Sequence, residues 1–277
     1  ACDPADLCTA SVCAAVCGND VITLDETCDD GNAVDWDGCK DCQVAEVQEN
    51  NTAINFQSDP AVAVFSDGRY VAAWTSEGQD GSSAGVFATD HASGTPVAEL
   101  PVNNYILAKQ QLPDVAALAN GRWVAVWQSA GQDTSDNGIF AQIFDDTNAK
   151  VGGEIFVNTE YTGDQTDPRV ASIGGDRFVV VWASSQGDGY LGTVYARVFN
   201  SADGSAVSGS DLQVNTTTMG DQRSPSVDAD GESFAVVWVD ETYISGQRFT
   251  ADATKWGGEI QVASRDSHPV GDPDVAV

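Results

Sequence analysis

The chain has 277 residues, 42% of them hydrophobic, and carries 42 acidic against 12 basic side chains, a formal net charge of −30 at pH 7. This length buries a sizeable core and fits one small domain beside a larger one, while the charge excludes nucleic acid and anionic membrane as partners and favours cations or basic ones. No apolar run approaches the roughly 20 residues of a membrane span. The acidity has two readings, a soluble coat and cation binding.

The chain opens at Ala1-Cys2-Asp3 without a charged region leading into an apolar stretch, as expected of a mature secreted form. All seven cysteines, Cys2, Cys8, Cys13, Cys17, Cys28, Cys39 and Cys42, fall within the first 42 residues. Such clustering marks a stapled module. Cys39-Lys-Asp-Cys42 has the spacing of a zinc knuckle, but the other cysteines lack it and the two histidines, His91 and His268, are distant in sequence. Disulfides are therefore favoured over zinc, and with them an oxidising, extracellular or cell-surface setting. Seven is odd, so one thiol is free, joined to another chain or joined to a cysteine outside this sequence. Between the later cysteines, Asp25, Glu26, Asp29, Asp30, Asp35 and Asp37 place six carboxylates within 13 residues. Calcium takes six to eight oxygens from a loop held rigid, and disulfides can hold one; the alternative is that short acidic loops simply favour turns. Calcium is the one cofactor expected, and no organic cofactor is.

The runs Cys17-Gly-Asn-Asp20, Glu26-Thr-Cys28-Asp-Asp-Gly-Asn32 and Trp36-Asp-Gly-Cys39-Lys-Asp-Cys42 resemble the Myxococcus cysteine-rich repeat. Asp20 and Trp36 stand where that family usually has Gly. The last run is also similar to the end of a Notch-type repeat, a disulfide module built around calcium. The resemblance implies an extracellular or cell-surface modular protein with no activity of its own in the head.

Beyond the head the chain repeats. Trp74, Trp127, Trp182 and Trp238 are spaced by 53, 55 and 56 residues. Pro60, Pro113, Pro168 and Pro225 precede them by 13 or 14, each with a glutamine three residues earlier (Gln57, Gln110, Gln165, Gln222). Each unit starts with a strand such as Pro113-Asp-Val-Ala-Ala and turns at Asp67-Gly68, Asn120-Gly121, Gly174-Gly175-Asp176 or Asp230-Gly231. It continues in a β-branched and aromatic run such as Arg177-Phe-Val-Val-Val-Trp182. A third strand is expected at Gly138–Phe144, Thr193–Phe199 and Ile244–Phe249, and a fourth around Glu154–Asn158, Asp211–Asn215 and Glu259–Val262.

Four short strands in a unit of about 50 residues is the period of propeller blades. The expected architecture is all-β: a cysteine-rich disulfide module over 1–45, then a β-propeller over 46–277 with units at about 47–101, 102–156, 157–213 and 214–261. A partial fifth unit over 262–277 restates the opening strand in Pro273-Asp-Val-Ala-Val277. Three outcomes are open for that strand: the polypeptide continues, the strand closes a four-bladed ring, or it pairs with a neighbouring molecule. Trp is expected to end the second strand and wedge between blades, and Pro to open the first, where no amide donor is needed. The repeats are similar to uncharacterised bacterial and algal extracellular repeats with Gln-x-x-Pro, Val-Val-Val-Trp and Val-Asn-Thr patterns, a resemblance that implies no known ligand.

Acidic loops follow the Trp of three units, at Gly78-Gln-Asp80, Gly131-Gln-Asp133 and Gln186-Gly-Asp188, with Asp240-Glu241 in the fourth. Turn formation is the favoured reading; the alternative is a ring of cation or sugar contacts on one face. Asn50-Asn51-Thr52 and Asn215-Thr216-Thr217 are glycosylation sequons if the source glycosylates.

No Gly-x-Ser-x-Gly, His-Glu-x-x-His, P-loop or dinucleotide fingerprint occurs. Among so many acids, any pair of carboxylates chosen for glycosidase work is uninformative. These observations lead to the expectation of a non-enzymatic extracellular structural or assembly subunit of an appendage, coat, filament or matrix, with self-association or other extracellular proteins as partners. The alternative is a propeller lectin or adhesion module binding glycans or a protein.

Overall fold

The computed structural model describes, in the head, residues 7–9, 12–14, 39–40 and 43–44, and from residue 49 onward all but 53–54, 93–94, 97, 175, 186–191, 242, 265–271 and 277. In the head, β1 (Leu7–Thr9) pairs antiparallel with β2 (Val12–Ala14), setting Cys8 opposite Cys13 in register, and β3 (Cys39–Lys40) pairs with β4 (Gln43–Val44).

Four antiparallel sheets follow in chain order. Blade 1 holds β5 (Gln57–Val64), β6 (Tyr70–Glu77) and β7 (Ala84–Ala92), with its outer edge split into β8 (Thr95–Pro96) and β9 (Leu100–Pro101). Blade 2 holds β10 (Gln110–Ala117), β11 (Trp123–Ala130), β12 (Asn137–Phe144) and β13 (Lys150–Phe156). Blade 3 holds β14 (Gln165–Ser172), β15 (Arg177–Ser184), β16 (Thr193–Asn200) and β17 (Leu212–Gln213). Blade 4 holds β18 (Gln222–Ala229), β19 (Ser233–Asp240), β20 (Tyr243–Thr250) and β21 (Lys255–Ser264). The first strands of successive blades pack side by side, β5 on β10, β10 on β14 and β14 on β18, which makes them the inner strands of a propeller. Helix is confined, among the described residues, to one three-residue 3-10 turn at Ala119–Gly121.

The core lies between blades. Trp127 packs with Ala63, Val71 and Val86 of blade 1, Trp182 with Val124 and Ile139 of blade 2, and Trp238 with Val179 and Val194 of blade 3. Each tryptophan thus wedges into the preceding blade. It does so from inside its strand, the fifth of eight residues in β11 and the sixth of eight in β15, and not from the strand's end. The pleat explains the placement, since a mid-strand side chain stands over the centre of the neighbouring sheet.

Proline is likewise fourth in its strand rather than first. Pairing resumes past it through a bulge in every blade, between Ser58 and Ala61, Gln111 and Asp114, Thr166 and Arg169, and Arg223 and Ser226. The bulge leaves proline's missing amide without a ladder partner to lose. Close approach of blades also dictates one glycine: a Cβ on Gly174 (φ +66°) would lie 2.7 Å from the Cα of Gly231 in the next blade's turn.

The unexplained glutamines and the Val-Asn steps belong to one device. Asn158 Oδ1 accepts the Ile139 amide at 2.8 Å, and its Nδ2 donates to Glu160 O at 2.7 Å and to Gln165 Oε1 at 3.1 Å. Asn103 with Gln110, and Asn215 with Gln222, repeat this strap at the crossings into blades 2 and 4. Beyond it, an acid from the next blade's outer edge clamps the crossing loop: Glu99 accepts the Thr52 amide at 3.0 Å, Glu154 that of Asn104, Asp211 that of Thr159 at 2.8 Å and Glu259 that of Thr216 at 2.7 Å. Burial pushes the Glu99 and Glu259 carboxyls up, but the bonds from Thr52 and Thr216 outweigh it and leave both below the usual range.

We expect Asn158→Leu to strand the buried Ile139 amide and the Gln165 carbonyl. At about 1–3 kcal/mol for each such group, stability should fall by roughly 2 kcal/mol or more. Urea unfolding checks this, and an unchanged midpoint would refute the strap.

Candidate functional site

The residue before each repeat proline is held in the left-handed region, at φ +52° for Asp59, +54° for Leu112, +52° for Asp167 and +48° for Ser224. Non-glycine residues resist this region, and the steric demands of a following proline add to the cost. Strain repeated at one spot needs a surrounding structure that enforces it, and the bulge with its glutamine strap does so. Around this constant frame the side chains on either side of proline differ: Asp59 and Ala61, Leu112 and Asp114, Asp167 and Arg169, Ser224 and Ser226. Constancy of frame with variation of side chain is what a site built on a repeat scaffold requires.

Residues of the first three blades share a cavity near the start of the inner strands, the mouth of the channel that inner strands of a propeller surround. Asp59, Pro60 and Ala61 of blade 1, Leu112, Pro113 and Asp114 of blade 2, and Arg169 of blade 3 line one cavity of about 240 Å3. Asp114 Oδ2 accepts the Val170 amide at 2.8 Å, and Asp59 Oδ2 accepts the Ser58 hydroxyl at 2.9 Å. Burial pushes the Asp114 carboxyl up and Asp274 adds to the rise, against the pull of the Val170 amide and Arg169. Asp167 is raised by burial in the same way, with Asp272 adding and Arg169 opposing. A desolvated carboxyl with a raised pKa beside a second carboxyl in one cavity keeps its proton to higher pH than a solvated one and is suited to donate it. On the same end of the propeller the crossing loops that lead into the inner strands expose Phe56, Ile106, Leu107, Tyr161 and Met219.

Other candidates from the sequence take different places. Trp74, Trp127, Trp182 and Trp238 are buried. Asn215 is 2% exposed and its Nδ2 donates to Thr217 O at 2.8 Å, so its amide is committed inside the strap and is not presented for glycosylation. Asn50 Nδ2 donates to Thr52 O at 2.9 Å. In the acidic loops Asp80 Oδ1 accepts the Ser82 amide at 2.8 Å and Asp133 Oδ1 that of Ser135 at 3.0 Å, while Gln79 and Gln132 bridge to Glu99 and Glu154 at 2.7 Å each. Buried His91 stacks on Tyr70 with centroids 4.5 Å apart and pairs with Glu49 at 2.5 Å. Burial, followed by Glu49, pushes the Tyr70 hydroxyl up to about 12. The side chains of the seven cysteines and the six carboxylates from Asp25 to Asp37, with Asp188 and His268, lie outside the described residues. Among the described residues no cluster of three or more His, Cys, Asp or Glu is placed to hold a metal ion, and no helix is long and apolar enough to cross a membrane.

No protein-family model and no curated protein matches the chain. Solved structures do, and they agree on the propeller. The GH93 alpha-L-arabinofuranosidase of Fusarium graminearum in complex with arabinobiose superposes with a TM-score of 0.52 at 14% identity, over 75% of this chain and 66% of its own. A Penicillium chrysogenum alpha-L-arabinanase complexed with arabinobiose gives 0.51 at 14%, over 74% and 66%. A protein of unknown function from Dyadobacter fermentans gives 0.53 at 10%, over 77% and 70%. The chain therefore spans just under two thirds of the length of the two enzymes. At these identities the likeness carries the fold.

The likeness also corrects the expectation of a non-enzymatic structural or assembly subunit, because the fold taken for an inert body is also the fold of an alpha-L-arabinofuranosidase and an alpha-L-arabinanase. That expectation rested on the odd cysteine, the fifth opening strand and the absence of nucleophile, zinc, phosphate and dinucleotide motifs, with any chosen pair of carboxylates set aside as uninformative. Carboxylate chemistry needs none of those motifs, and its residues here come from separate repeats that no local motif joins.

Proposed function

We propose that the protein is a carbohydrate-active propeller that binds a neutral glycan at the channel mouth and cleaves it by carboxylate acid–base chemistry. The observation that carries this reading is the placement of Asp59 and Asp114 on one cavity, with Asp114 raised by burial. Asp114 would deliver its proton to the departing glycosidic oxygen. Asp59 would either activate a water that attacks the anomeric carbon, or attack it to form a glycosyl ester that a water activated by the deprotonated Asp114 then hydrolyses. The surrounding field favours neutral over uronic sugars, since a net charge of −30 repels anionic polymers. Exposed Phe56 and Tyr161 offer ring faces to sugar C–H groups. The two arabinobiose complexes sharing the fold support a pentose-containing glycan first. The cysteine-rich head motivates an extracellular setting.

The test is to incubate the protein with arabino-oligosaccharides and a panel of other neutral and acidic glycans, following binding by calorimetry and turnover by reducing ends. Saturable binding of neutral oligosaccharides with release of reducing ends is expected. Absence of binding across the panel at millimolar ligand would overturn the proposal.

A further inference from the structure

Blades 1 and 4 each present an open flank whose residues are buried everywhere else in the repeat. Val62 is 62% exposed in β5, yet its counterparts Val115, Val170 and Val227 are 5%, 6% and 9% exposed, each packed against the preceding blade. At the opposite flank Val262 is 54% exposed, where Val102, Val157 and Val214 are at 0%. Ile260 and Trp256 beside it, 58% and 56% exposed, match Ile155 and Val151, which pack into the interface between blades 2 and 3. Trp74 repeats the geometry of the wedges: it lines a cleft of about 210 Å3 on blade 1 with Pro60, Ala72 and Ala73.

Residues 272–276 lie beside this gap. Ser226 Oγ donates to Asp274 Oδ1 at 3.0 Å, and the carboxylates of Asp274 and Asp272 act on Asp114 and Asp167 across the channel. In the order of the repeat Pro273 and Asp274 correspond to Pro113 and Asp114 of blade 2. On the other side, Asn51 and Thr52 are clamped by Glu99 as Asn104 is by Glu154, so the segment entering blade 1 has the form of a crossing from an earlier blade.

We propose that both flanks are blade-to-blade interfaces filled by one further blade of this repeat, whose inner strand is Pro273–Ala276 and which brings Asp272 and Asp274 to the channel mouth. Its second strand would supply the apolar run that receives Trp74, and its own tryptophan would wedge against Ile260 and Val262. This inference stands on the flanks and does not depend on the carbohydrate reading.

Hydroxyl-radical footprinting of the full-length native protein tests it without any variant. Trp256 is expected to be modified several-fold more slowly than Tyr161, an aromatic of the same exposure in the four blades that the further blade would leave open. Equal rates would mean open flanks and would overturn the proposal. Val62→Asp and Val262→Asp give a second reading: each should lower the melting temperature by several degrees if the flank is covered, and leave it unmoved if the flank faces water, which would also overturn it.

Discussion

Trp182→Ala should lower the unfolding free energy by about 3–5 kcal/mol, the cost of emptying a fully buried aromatic site. The side chain is 1% exposed and is enclosed by Val124, Val126 and Ile139 of blade 2, with Tyr195 of its own blade stacked at 6.1 Å between centroids. Walls made of two different sheets cannot collapse around the cavity without shifting a blade, which places the effect toward the upper end. Chemical denaturation measures it. A loss below about 1 kcal/mol would mean that the blades are held mainly by their backbone straps. Trp182→Phe, which retains most of the volume, should recover much of the loss.

Asp114→Asn should cut turnover of a cleaved glycan by about 100- to 10,000-fold, the range for removal of a positioned general acid, while leaving glycan binding nearly intact. The amide oxygen of asparagine can still accept the Val170 bond, so the bulge should keep its shape. The sign of the pH effect follows from the shift. Asp114 is raised in the folded protein, so its protonated form persists above the ordinary carboxyl range, and activity should fall as pH rises through the raised value. The same shift adds stability below the ordinary aspartate pKa that is lost as pH climbs through the folded one. The variant should lack that alkaline limb in residual activity. A pH–rate profile that keeps the limb, or turnover equal to wild type, would remove Asp114 from the chemistry.

Much of the fold was legible because the propeller is written four times. The spacing of Trp and Pro and the Gly turns locate blades, and burial of one face fixes what each strand must contain. Local detail was less legible. The strands begin three residues before proline because a bulge absorbs the missing donor, and nothing in the composition of Ser58-Asp59 or Gln111-Leu112 announces left-handed backbone. The glutamines were visible as a pattern, but their role needs the Asn-to-Gln contacts that only folding brings together. The acidity misled in another way: Glu99, Glu154, Asp211 and Glu259 are structural clamps hidden among 42 acids. The site was illegible as a motif because Asp59 and Asp114 are 55 residues apart. What could have found it is alignment of the units, where the positions flanking proline diverge while everything around them recurs.

The pseudosymmetry of the mouth has a consequence for any molecule that enters it. Identical units would offer a ligand the same contacts in each rotational setting, and it would sit in several equivalent poses. Here one sector presents Asp59 and Ala61, the next Leu112 and Asp114, and the next Asp167 and Arg169 on the same backbone. The degeneracy is lifted by side chains alone, so the scaffold can admit a ligand in a single azimuthal orientation, with one bond aimed at one carboxyl, without any blade departing from the common fold.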